Sequence, residues 1–133
     1  MRGVRCLKDM LKLFDKKNKK EGLADIENLP FPIVKLNWPE SWWYLENEED
    51  LRKGIQEELN AEIGPRHPLW GHKPVVFAKC NGSDDILAQL SDGRFVIVHL
   101  VWHGHIDQEP EKFPASGILE NERELQNFLN DER

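Results

Sequence analysis

Five histidines are the side chains in this sequence best suited to chemistry, and three of them crowd one stretch. His103 and His105 flank a single glycine. In an extended strand, residues i and i+2 share a face, so two imidazoles at that spacing can grip one ion. His99 and Asp107 have the same parity and would join them if the strand ran on that far. His103, His105 and Asp107 are therefore the alternative metal set. Gly104 argues against a continuous strand, and the first expectation is that no metal binds and the pair faces solvent.

A second arrangement uses Asp84, Asp85 and His99. A carboxylate that orients an imidazole makes a general base, so Asp85 and His99 are the alternative catalytic pair. Cys80 and Ser83 are the nucleophiles nearest in the chain, and neither sits in a recognisable catalytic context. No G-x-G-x-x-G, P-loop, H-E-x-x-H or G-x-S-x-G occurs. The first expectation is a non-enzymatic protein without a cofactor.

Binding groups are better represented. Trp38, Trp42, Trp43 and Tyr44 fall within seven positions. Such aromatics dominate binding hot spots, but a small domain also needs them inside. The core reading comes first and an exposed recognition patch second. The loop GPRHPLWGHKP, residues 64–74, adds His67, Trp70 and His72. Loops on a rigid scaffold often carry binding groups.

The scaffold is legible between Val75 and Trp102. Three apolar runs are separated by two short turns, Asn81-Gly82 and Asp92-Gly93, which supply the positive-φ positions of tight hairpins. This predicts a three-stranded antiparallel meander. With Ser91-Asp92-Gly93 as a bulged loop, Asp85 faces His99; with Asp92-Gly93 alone, Ile86 does. The bulged loop is favoured, because Ser91 is a poor strand residue. The third run, Phe95 to Trp102, is apolar on both faces and is expected inside the sheet.

Around the meander, Ile33 to Leu36 predicts a short edge strand between prolines. Leu51, Ile55, Leu59 and Ile63 recur every four residues and predict a helix over 48–62, capped by Asn47 and ended by Gly64-Pro65. Leu125, Phe128 and Leu129 predict a last helix over 121–131 capped by Asn121. Pro110 and Pro114 predict a loop before it. Leu7, Met10, Leu11 and Phe14 predict a short, basic, amphipathic N-terminal helix, peripheral within residues 1–22.

The net charge of −6 repels phosphate backbones, which disfavours nucleic acid and suits a cationic protein partner. Two cysteines are too few for a disulfide framework. No run of 18 apolar residues occurs and the N-terminus lacks a signal-peptide pattern, so the expectation is a cytoplasmic protein without membrane contact.

HPLWG at 67–71 and DDILAQLSDGRFVIVHLVWHG at 84–104 resemble a group of small bacterial proteins sharing a DD-x-L…DGR…VHL-x-W-x-G pattern. The resemblance covers about a third of the chain and implies no activity or functional residue. Size, acidity and architecture also resemble the immunity proteins of bacterial toxin systems.

The expectation is a single α+β domain over residues 1–133, with a three- to four-stranded antiparallel meander and helices packed mainly on one face. It would be a monomer or homodimer. Its expected function is protein binding, with an immunity protein that binds a basic toxin domain as the specific form. The alternative is a small metal-dependent or histidine-based enzyme using the His99, His103 and His105 face.

Overall fold

The apolar runs of the meander need partners for their backbone groups and find them in one another. In the computed structural model, which describes residues 22–131, they form β2 (Val75–Cys80), β3 (Asp85–Gln89) and β4 (Phe95–His99). The helix expected within residues 7–16 lies outside the described residues. Gly82 and Gly93 take φ values of +85° and +95°, as the two turns require. Asp85 pairs with His99, which is the register of the bulged loop.

Two further strands complete an antiparallel sheet of order β1-β2-β3-β4-β5. Strand β1 (Trp42–Tyr44) pairs with β2, and β5 (Ala115–Leu119) pairs with β4. The fold is thus α+β, with five strands rather than three or four. Strand β4 lies inside the sheet as expected, although β3 is its centre.

Three local expectations are corrected. Residues 33–36 are not a strand. Pro32 and Val34 are buried and Ile33 and Lys35 exposed, so the segment runs extended across the sheet face. The edge of β2 is occupied by β1, and two prolines deprive the segment of donors. The stretch after Pro114 was expected as loop, but the open edge of β4 captures Ala115–Leu119 despite their weak strand preference. Strand β4 ends at His99, so the run to Trp102 is not one strand.

Helix α1 (Glu49–Glu62) crosses one face of the sheet and α2 (Glu122–Asp131) the other. Ile55, Leu59 and Ile63 pack with Val76, Ile86, Ala88, Val96 and Val98. Leu125 and Leu129 pack with Phe77, Leu87 and Phe95. Side chains alternate along each strand, so both faces of a meander this apolar must be covered. The helices therefore do not lie mainly on one face. Each fully buried Leu or Ile stabilises by about 1.5–3 kcal/mol.

The caps differ. Asn121 Oδ1 accepts the Glu124 N–H at 2.9 Å and Glu124 Oε1 accepts the Glu120 N–H at 2.9 Å, a reciprocal start to α2. Helix α1 begins after Glu48 without a side-chain cap, so Asn47 does not play that part. Among the described residues no helix is long and apolar enough to cross a membrane.

Candidate functional site

Helix α1 carries more than its apolar stripe. Arg52, Gln56 and Asn60 recur every four residues beside it and donate to irregular backbone. Arg52 Nη1 donates to the Pro30 and Val76 carbonyls at 3.0 and 3.3 Å, and Nη2 to Leu29 O at 3.3 Å. The Gln56 amide donates to Pro74 O and accepts from Val76 N–H, both at 2.9 Å. Asn60 donates to Ala24 O at 3.0 Å. Arg52 and Gln56 are buried, and buried polar groups persist where they are satisfied in this way.

Glu58 and Glu62, again four apart, form a second stripe of opposite sense. Glu62 accepts the Val101 N–H at 2.9 Å and the Trp102 N–H at 2.7 Å. Glu58 accepts the Gly104 N–H at 2.9 Å. Beyond Leu100, whose N–H still donates to Asp84 O at 3.1 Å, the donors turn to these carboxylates instead of a neighbouring strand. Trp102 is thereby held at φ +66°, a conformation costly for a large residue. Burial pushes the Glu62 carboxyl up to about 7, reinforced by hydrogen bonding to Glu58 and partly offset by the two backbone donors.

The clamped turn displays apolar side chains. Val101, Trp102 and Ile106 are 41%, 45% and 46% exposed, and Phe113 follows on the same connection. Trp43 is also exposed. It lies opposite Lys79, which lies opposite Ile86, which lies opposite Val98, one row in from the Asp85–His99 pair. All of these residues therefore gather at one end of the sheet. Exposed Asp84 and half-buried Asp85 stand at that end too. Arg66 and Lys112 are already ion-paired, with Glu111 and Glu109.

Of the seven binding candidates, Trp43 alone is exposed. Trp42 is buried and meets Phe128 edge-on at 6.0 Å, while Trp38 stacks on Tyr44 at 5.0 Å. The Tyr44 hydroxyl donates to Pro32 O at 3.3 Å. His67 is buried, and its Nδ1 accepts the Leu69 N–H at 3.0 Å. The proton therefore sits on Nε2, which donates to Pro114 O at 2.7 Å. Burial lowers the pKa of this imidazole, consistent with a neutral structural group. Trp70 covers Gly22, where a Cβ would come within 2.3 Å of the indole, and His72 is half-buried.

The alternative catalytic pair does meet: His99 Nδ1 lies 2.7 Å from Asp85 Oδ1. Ser83 Oγ accepts the Asp85 N–H at 3.2 Å, and Cys80 is a buried free thiol. The alternative metal set does not share a strand face. A turn at Gly104, φ +75°, stacks His103 on His105 with ring centroids 4.0 Å apart. His103 Nε2 pairs with Asp107 Oδ2 at 3.3 Å, and the Glu109 N–H and His103 together hold the Asp107 carboxyl below its usual range. Among the described residues no three His, Cys, Asp or Glu side chains are placed to hold a metal ion.

Sequence reasoning missed Glu58, Glu62 and Trp102. The carboxylates lie off the apolar stripe, where acids normally face water, and Trp102 reads as the end of an apolar strand. Their only common signal is four-residue spacing on α1 opposite a glycine-bearing strand end. No protein-family model matches the chain, and neither a curated protein nor a solved structure matches it.

Proposed function

We propose that this chain is a non-enzymatic protein-binding module whose recognition surface is the sheet end bearing Trp43, Val101, Trp102 and Ile106. One observation carries the reading: a tryptophan at positive φ whose N–H, with that of Val101, is held by the single Glu62 carboxylate, and whose side chain is half exposed near other exposed apolar groups. A fold maintains a strained, exposed aromatic at a cost in stability, and such strain concentrates at functional positions. Clustered exposed apolar groups mark interaction sites, and tryptophan leads among hot-spot residues.

Acidic neighbours and the net charge of −6 suit a basic partner. The specific form is an immunity protein that neutralises a basic toxin domain in the cytoplasm. Small size, acidity and α+β architecture support it. The test is partner capture from the native host by the wild type, Trp43→Ala and Trp102→Ala. Both variants are expected to melt with the wild type and to lose the captured protein. Undiminished capture by both would remove the surface from consideration. Rescue of growth on co-expression with a toxin encoded next to this gene would establish the immunity form.

A second reading draws on the 2.7 Å Asp85–His99 contact and the stacked His103 and His105: a small metal-dependent or histidine-based enzyme. Stoichiometric zinc in protein purified without an affinity tag, lost in His103→Ala, would favour it.

A further inference from the structure

At the opposite end of the sheet, where β2 begins and β3 ends, a cavity of about 500 Å³ opens beneath the segment 24–33. Small-molecule sites typically enclose about 300–1,000 Å³ and are mostly apolar with a few polar groups. One wall is Phe31, Pro32 and Ile33, and the other is Val75 and Leu90. Ile33 is 85% exposed, the most open large apolar side chain described. Its wall is fixed in place by Arg52, whose guanidinium bonds the Leu29 and Pro30 carbonyls and lies 5.0 Å from the centre of the Phe31 ring.

The polar lining is unequal. Lys73, at φ +49°, and Ser91 stand together at the strand end, because Val75 pairs with Gln89 and the Ser91 N–H donates to His72 O. Lys73 has no carboxylate partner among the described residues. The lining acid, Asp25, belongs to the facing wall and already accepts the Glu27 N–H at 3.1 Å. The Gln89 amide is likewise committed, to Gly93 O at 3.3 Å. The cation and the hydroxyl thus stand together on one side of an apolar trough, with the Asp25 carboxylate on the facing wall.

We propose that this cavity binds a small amphipathic carboxylate. Its hydrocarbon body would lie between Ile33 and Leu90, and its head on the Lys73 ammonium and Ser91 hydroxyl. An ammonium–carboxylate contact beside apolar surface is charge-assisted and excludes cationic analogues. The site is separate from the protein-binding surface, so Trp102→Ala is expected to leave it intact.

Decanoate tests this, with decanol and decyltrimethylammonium as head-group controls, by calorimetry and amide chemical shifts. The expected result is saturable one-to-one binding of decanoate, with shifts centred on Val75, Leu90 and Ser91. Lys73→Gln should weaken it about tenfold, equivalent to about 1.4 kcal/mol, and Lys73→Arg should restore most of it. Ile33→Asp, at an open position that folding does not need, should abolish it. Equal binding of all three amphiphiles, shifts elsewhere, indifference to both Lys73→Gln and Ile33→Asp, or no saturation would each overturn the proposal.

Discussion

The two irregular regions beside helix α1 are held by opposite chemistry. Toward the cavity, Arg52, Gln56 and Asn60 donate to the carbonyls of Ala24, Leu29, Pro30, Pro74 and Val76. Toward the proposed recognition surface, Glu58 and Glu62 accept the N–H groups of Val101, Trp102 and Gly104. Irregular backbone must find partners once buried, and one helix supplies both kinds from two stripes. The difference is that only the carboxylate side can change its protonation near neutrality.

Replacing Arg52 with Ala should give the largest effect. It strips three carbonyls of a donor and empties a buried volume, costing about 3–5 kcal/mol in chemical denaturation. The loss should be nearly the same at pH 5 and pH 8, because guanidinium does not titrate there. A pH-dependent loss would break the contrast between the two sides.

The carboxylate side should show the reverse. Glu62 moves from an ordinary value of 4.5 to about 7 in the folded protein. The folded state therefore binds more protons than the unfolded one between those values. The Glu62 contribution is fully present below about 4.5 and lost as pH rises through about 7. The total is on the order of 3 kcal/mol at most. Glu62→Gln should flatten this slope in urea titrations run across the window. A slope that survives the substitution would place the titrating group elsewhere. Asp107, whose pKa is lowered, acts in the opposite direction and only at more acid pH.

Trp102→Gly sharpens the point from the backbone. Glycine accepts φ +66° without penalty, so stability should hold or rise by up to about 1 kcal/mol while partner binding is lost. A fall of more than about 1 kcal/mol in thermal unfolding would make Trp102 a packing residue. The smallest effect is Trp43→Ala, expected within about 0.5 kcal/mol because the side chain is exposed.

What the sequence made legible follows the same division. The meander, the apolar stripe of α1 and the Asn121 start of α2 rest on local pattern and can be read without knowing the fold, whereas the pairing of Asp85 with His99 is only favoured over that of Ile86 with His99 until the structure selects it. Strand β5 could not, since Ala115, Ser116 and Gly117 have little strand preference until the edge of β4 selects them. For the aromatics at 38–44 the core reading comes first and the recognition patch second, and three of the four do pack inside: Trp38, Trp42 and Tyr44 fill the face under α2 and the segment 31–36. Trp102 was hidden in an apolar run, and its N–H is taken by the Glu62 carboxylate of a helix some forty residues away rather than by a neighbouring strand.

The recognition surface can be tested most directly by site-specific photo-crosslinking in the native host. A photoreactive residue would be placed in turn at positions 43, 102 and 106, with Lys35, on the segment 31–36, and Asn127, on α2, as exposed controls. The account predicts one shared basic protein adduct from 43, 102 and 106, and none of it from 35 or 127. Adducts from the control positions alone, with 43, 102 and 106 silent, would contradict it.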